Sequence, residues 1–297
     1  MKTDIYETIT NQIVEALENV DLKNFQSCFT MADGGLPTNA VTGAQYRGVN
    51  ILTLWVAAQQ KRFTSNIWAS FNQWKQLGAS VKKGQKAANI LLYKNAEKID
   101  KETGEVSEYM LARSYAVFNA DQVEGWTPQP IDTQPVIVDG RNETIENFIS
   151  ATGAVIVEDT SAFYRPSTDA VHMPSRSQFV DFYGTAAENY YSVLFHELAH
   201  WTKASHRCDR KFEELEPRDR YAAEELVAEL SAAFLCGMFG IKQAGRDDHA
   251  MYIKSWLEAL KNDKKHIFKA ASLAQKAVDH LKSYSESCSS LKEKKAA

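Results

Sequence analysis

His196-Glu197-Leu198-Ala199-His200 sets two imidazoles four residues apart with a carboxylate between them. On an α-helix, residues four apart lie on one face, one turn from each other. Two histidines so placed can ligate one metal ion, and Glu197 can take a proton from a water molecule beside it. The H-E-x-x-H pattern therefore reads as a zinc hydrolase, most often a metallopeptidase. Manganese is the alternative ion, because mixed His/carboxylate sites bind first-row divalent metals with overlapping affinities. The competing reading is a buried helix with two hydrogen-bonded histidines.

The chemistry needs a helix, and the flanking residues supply one. Thr185 and Glu188 form a capping-box pattern. Residues Ala186 to Thr202 include neither Gly nor Pro, and Tyr190, Val193, Leu194 and Leu198 recur at helical spacing. A catalytic zinc keeps three protein ligands and one open position, so a third ligand must come from another element. The stretch from Asp219 to Phe234 reads as a helix capped by Asp219, with Pro217 just before it. Its Glu225 and Glu229 share a face, flanked by the small Ala228 and Ala232. One carboxylate can bind metal while the other holds a ligand histidine's second nitrogen. This spacing resembles the E-x-x-x-D arrangement of thermolysin-like peptidases, which implies Glu225 as the ligand and Glu229 as the alternative or as the support. Against this stands a plain solvated face of Glu224, Glu225 and Glu229. Tyr164, Tyr221 and Tyr252 are the candidates for stabilising an oxyanion. His172, His206, His249, His266 and His280 read as surface or core residues, with His206 closest to the motif.

The rest of the chain carries a different signal. Its 297 residues are 44% hydrophobic and 24% charged, with a net charge of −4. That balance conceals an asymmetry, because the 63 residues between Asp33 and Glu97 hold no acidic side chain. They hold Arg47, Lys61, Arg62, Lys75, Lys82, Lys83, Lys86 and Lys94, interleaved with Tyr46, Trp55, Phe63, Trp68, Phe71, Trp74 and Tyr93. Basic groups neutralise phosphates, and exposed aromatics stack on unpaired bases. Single-stranded DNA is the expected ligand, with Arg47, Lys61, Arg62, Trp68, Trp74, Lys75, Lys82, Lys83 and Lys86 as its contacts. Trp55, inside an apolar run, reads as core.

Pro128, Pro130 and Pro135 mark an extended linker. The expected organisation is a DNA-binding domain over 1–127, a linker over 128–140 and a hydrolase domain over 141–297. Helices are expected near 3–19, 48–60 and 69–76, then strands over 88–93 and 109–118 flanking a charged insert. In the second domain a helix near 142–152 precedes a strand at 154–158 and a hairpin over 162–173. An edge strand ahead of the motif helix is where many zinc peptidases hold substrate backbone. Two C-terminal helices break near Asn262-Asp263, and a polar tail from Ser285 is expected to be disordered. Four scattered cysteines, Cys28, Cys208, Cys236 and Cys288, read as reduced thiols. No run is long enough to span a bilayer and the N-terminus lacks a signal core, so a cytoplasmic protein is expected.

Several stretches together resemble the ArdC family of plasmid antirestriction proteins and the related N-terminal regions of conjugative primases. They are Tyr46-Arg-Gly-Val-Asn-Ile-Leu, the run from Phe71 to Lys86, Tyr164 to Pro174, Phe195 to Thr202, and Tyr221 to Leu235. The resemblance implies an α+β chain of two domains. The first would be an α/β single-stranded-DNA-binding domain. The second would be a zincin-like metallopeptidase domain whose H-E-x-x-H helix packs on a small sheet. It also implies protection of incoming plasmid DNA from host restriction, with a protein substrate that is unidentified and includes host restriction components among its candidates. Two rivals remain: a pure DNA-binding shield, and a metal-dependent hydrolase of a non-peptide bond.

Overall fold

The computed structural model describes residues 4–18, 35–99, 106–127, 140–181, 184–242 and 249–296. The fold is α+β. Helix α1 (Ile5–Glu18) buries Ile9, Ile13, Val14 and Leu17, which recur at helical spacing. Strand β1 (Thr38–Asn39) leads to α2 (Val49–Lys61). Helix α2 starts from Gly48 at φ 56°, ψ −132°, a conformation that needs a residue without a Cβ. Strand β2 (Ile67–Ser70) runs straight into α3 (Phe71–Gln76), where Ser70 and Gln73 form a reciprocal capping box. Then come β3 (Ser80–Val81), β4 (Ala88–Ile99), β5 (Val106–Asn119) and β6 (Val123–Glu124). One sheet has the order β1-β2-β5-β4, and β3 pairs with β6.

Strands β4 and β5 outrun their apolar pattern. Their antiparallel register continues from Ala88↔Val117 to Ile99↔Val106, through charged residues where the apolar pattern predicts an insert. Main-chain pairing does not depend on side-chain polarity, so the ladder persists where the apolar alternation stops. Buried Asn50 ties α2 to this ribbon. Its side-chain amide donates to Leu91 O at 2.7 Å and accepts from Leu91 N at 2.8 Å.

The second segment opens with α4 (Glu143–Thr152), capped by Asn142 and closed by Gly153. Strands β7 (Val155–Glu158), β8 (Phe163–Arg165) and β9 (Ala170–Met173) form a sheet of order β7-β9-β8, leaving β8 and β7 at its edges. Helix α5 (Ala186–Trp201) packs on β8 and β9. Its start is the capping box expected at Thr185 and Glu188. Helix α6 (Pro217–Phe239) begins at Pro217 with Glu216 at the N-cap, not at Asp219. Proline suits the first helical position, and Asp219 lies in the first turn, where its charge complements the helix dipole. Helices α7 (His249–Asn262) and α8 (His266–Ala296) follow. The tail expected to be disordered is instead the end of α8. Its Leu, Lys, Glu and Ala are good helix formers even though nothing there is patterned for a core. The proline cluster lies outside the described residues. No described helix is long and apolar enough to cross a membrane.

One apolar core runs through both segments, joining α1 and α2 to α5, α6 and α8. The rings of Trp55 and Phe234 lie 6.1 Å apart across this seam. Gly237 makes the approach possible, since a Cβ there would sit 3.0 Å from Leu36 and 3.1 Å from Trp55. Gly48 N donates to Gln275 Oε1 at 3.0 Å, Thr10 Oγ1 to Lys264 O at 2.7 Å, and Arg47 pairs with Asp279. Helix α6 is apolar on nearly every side because it is packed by α5 and α8 together.

Candidate metal centre and its cleft

The H-E-x-x-H residues are buried on α5, facing α6. His196 meets Glu225 and Glu229, and His200 meets Glu224 and Glu225, so the two helices run in opposite senses. The Glu225 carboxylate is shared. One oxygen lies 3.4 Å from His196 Nε2, and the other lies 3.4 Å from His200 Nε2. The two Nε2 atoms are 3.0 Å apart. Glu229 Oε1 stands on the far side of His196, 2.7 Å from Nδ1. Glu224 Oε1 does the same for His200, 3.1 Å from its Nδ1.

The buried charges perturb one another. Burial opposes ionisation of Glu225, but hydrogen bonds from His196 and His200 outweigh it and hold the carboxyl well below its usual range. Burial likewise opposes ionisation of Glu224, which His200 and Arg210 overcome, bringing it down to about 2. Burial pushes the His200 imidazole toward neutrality, while Glu224 and Glu225 pull it further upward.

The donor set fits a divalent metal. Ligand atoms of His196, His200 and Glu225 all lie within 4.8 Å of one another. Tetrahedral ligands about 2.1 Å from an ion stand about 3.4 Å apart, close to the spacings of these nitrogens and oxygens. Two imidazoles and one carboxylate also leave an open position, as a catalytic site requires.

A cleft of about 510 Å³ opens onto these residues. The buried Glu197, His196, His200 and Glu225 form its floor, and it is also lined by Ala162 with Phe163 and Tyr164 of edge strand β8. Tyr164 and Tyr221 both line it. The Tyr164 hydroxyl donates to Asp169 Oδ1 at 2.9 Å, and Arg207 donates back to the hydroxyl at 3.3 Å. The Tyr252 side chain lies outside the described residues. His206 is exposed beside Asp169 and Arg207, apart from the cluster. His172 is buried in β9, with Nδ1 2.9 Å from Asp159 Oδ2.

Sequence reasoning missed two residues here. Glu224 is buried behind His200 and not part of a solvated face, and Arg210 holds it there. Arg210 also donates to Thr202 Oγ1 at 2.7 Å and Ala199 O at 2.8 Å, fixing the end of α5. The i, i+1 step from Glu224 to Glu225 was the available signal. One turn of α6 serves both histidines, because each imidazole has two nitrogens to satisfy.

The basic segment needs correction. Trp68 and Trp74 are fully buried and present no ring face to a base. Trp74 lies in a small core with Ala69, Ala79 and Val123, and its indole N–H donates to Phe118 O at 3.0 Å. Trp68 is a buried residue of β2 and Trp74 is the buried residue of α3, so each indole faces inward. The exposed aromatics are Phe71 and Tyr93. Lys61, Arg62, Lys75, Lys82, Lys83 and Lys86 are exposed, and Arg47 is exposed but paired with Asp279. Lys61 Nζ donates to Lys86 O at 2.6 Å, and burial, then the Lys86 charge, lowers its pKa.

Comparison with known proteins agrees with this architecture. Residues 3–120 match the family model of the N-terminal domain of anti-restriction factor ArdC, and residues 143–273 match that of a zincin-like metallopeptidase. An uncharacterized protein of Sinorhizobium fredii, y4eC, is 38% identical over 287 residues, covering 93% of this chain and 91% of that one. DNA primase TraC of Escherichia coli is 31% identical over 96% of this chain, which spans only 28% of the primase. The crystal structure of metal-free antirestriction ArdC from plasmid R388 matches with a TM-score of 0.81 at 35% identity, over 96% of this chain and 99% of that one. Its Mn(II)-bound form matches with a TM-score of 0.76 at 34% identity, over 95% and 98%. The chain therefore belongs to the ArdC family of antirestriction proteins.

Proposed function

We propose that the protein is a metal-dependent peptidase that works beside bound single-stranded DNA and protects incoming plasmid DNA from host restriction. The observation that carries this reading is the Glu225 carboxylate, whose oxygens each stand 3.4 Å from a different histidine Nε2. His196, His200 and Glu225 would hold a divalent ion, zinc or manganese, and the relative from plasmid R388 has a Mn(II)-bound form. Such an ion polarises a carbonyl and makes water acidic enough to attack it at neutral pH. Glu197, on the cleft floor, takes the proton from the attacking water and delivers it to the leaving amine. Glu229 and Glu224 fix the two rings from behind, so that both Nε2 atoms face the cleft. The β8 edge offers backbone groups to an extended peptide.

Residues 1–127 form the DNA-binding part, 128–140 the linker and 141–297 the peptidase. Lys61, Arg62, Lys75, Lys82, Lys83 and Lys86 contact phosphates, with Arg47 at the seam. Phe71 and Tyr93 replace the buried tryptophans as stacking residues. Phe71 and Lys75 are four apart on α3, so an aromatic face and a cation share one side. The setting is the cytoplasm, and the protein substrate is a component of host restriction.

Conjugative transfer into restriction-proficient recipients tests the whole reading. Glu197→Gln keeps the metal ligands and removes the base, so it should lose protection. Unchanged protection by Glu197→Gln would leave DNA coating as the function.

A further inference from the structure

Two cations flank the facing stretch of α5 and α6: Lys203 just past the end of α5, and Arg220 near the start of α6. Lys203 follows His200 by three residues, and Arg220 precedes Glu224 by four. Both line the same cleft as the metal ligands. Lys203 stands 6.0 Å from the Tyr164 ring, and Arg220 donates to the carbonyls of Leu215 and Glu213 at 2.5 and 2.9 Å. No carboxylate lies within 4.0 Å of either cation among the described residues. The acids lining the cleft are Glu197, Glu224 and Glu225, and none of them forms an ion pair with Lys203 or Arg220. Glu214 feels the Arg220 charge but is itself paired with Lys269. Two cations lining one cleft, neither of them in an ion pair with its acids, create a field that attracts an anion.

We propose that Lys203 and Arg220 make a carboxylate subsite in this cleft. It selects peptides that present a carboxylate about one helical turn, ~5 Å, from the metal ligands. The source is an acidic side chain close to the scissile bond or the C-terminal carboxylate of the peptide. Extended peptide advances about 3.4 Å per residue, so the carboxylate belongs one or two residues from the bond that is cut. Phe163, Tyr164, Phe212 and Tyr221 frame the apolar stem of that residue. The subsite rests on the peptidase reading above.

The test is calorimetry on the full-length, metal-loaded protein with short peptide hydroxamates, which anchor on the metal whether or not peptides are cleaved. Two series carry the hydroxamate at either end, with Glu or Gln at each position and, where the end is available, a free or amidated C-terminus. The variant is Lys203→Met/Arg220→Met, with metal content checked beside it. The wild type should bind one carboxylate-bearing probe about tenfold more tightly than its neutral twin, as two partly exposed ion pairs allow. The double variant should lose that preference and keep its metal. The series that shows the preference tells the side chain from the chain end. Equal affinity for charged and neutral probes would overturn the subsite and leave the peptidase reading standing. Failure of every hydroxamate to bind would overturn both. If a single-stranded oligonucleotide displaces the Glu probe from the wild type, the cations serve phosphates and the proposal falls.

Discussion

Arg210 grips the Glu224 carboxylate with two guanidinium nitrogens, at 2.7 and 3.0 Å. The pair is buried, and Glu224 in turn stands 3.1 Å from His200 Nδ1. The loop between α5 and α6 thus reaches back to orient one of the histidines on the cleft floor.

Removing one partner of this pair strands the other in the core. Arg210→Met should cost about 3–5 kcal/mol of folding stability, because an uncompensated buried charge remains. Chemical denaturation of the metal-free protein measures it. Glu224→Gln should weaken metal affinity about 10–100-fold, as loss of the group orienting a ligand histidine does. Unchanged metal affinity in Glu224→Gln would remove Glu224 from the site.

The two other carboxylates should separate by metal content. Glu225→Ala should lose the metal, as His196→Ala and His200→Ala should. Glu229→Ala should retain it with affinity reduced about 10–100-fold. Elemental analysis after dialysis, followed by titration calorimetry, gives the order. The reverse order would exchange the two roles.

At the seam, Gly237→Val should destabilise by about 1–3 kcal/mol, since the new side chain meets Leu36 and the fixed Trp55 ring. Because one core serves both segments, thermal unfolding should stay a single transition at a lower temperature. Two separated transitions would show that the segments unfold independently.

Charge reversal at Lys82, Lys83 and Lys86 should weaken single-stranded DNA binding for all sequences alike and flatten its salt dependence, since each phosphate contact releases counterions. Phe71→Ala should cost about 1–3 kcal/mol of binding if a base stacks there. Trp74→Ala should instead destabilise the fold, about 3–5 kcal/mol for a buried large aromatic. Fluorescence anisotropy at fixed salt, paired with denaturation, separates the two classes. A stable Trp74→Ala protein with selectively lost DNA binding would restore the indole to the interface.

Much of this was legible in the residues. The H-E-x-x-H helix was written in Thr185, Glu188 and the His196–His200 spacing, all local signals. Glu225 was legible because i, i+4 spacing set it on one face with Glu229. Arg210 was not, because its partner lies 14 residues away and only the loop geometry joins them. The tryptophans of the acid-free segment were misleading. Composition sums over a segment, whereas burial is decided residue by residue: Phe71 and Trp74 are three apart, one exposed and one in the core. The shared core was also invisible, since the contact of Trp55 with Phe234 spans most of the chain.

The proposed hydrolysis in the cleft depends on Glu197 as its base. Its most direct test is cleavage of a mixed peptide library by the metal-loaded full-length protein, followed by mass spectrometry with and without single-stranded DNA. Cleavage by the wild type is expected, with a drop of about 10²–10⁴-fold in Glu197→Gln and metal content and DNA binding unchanged. Equal cleavage by the two proteins, or no cleavage by the loaded wild type under either condition, would contradict it.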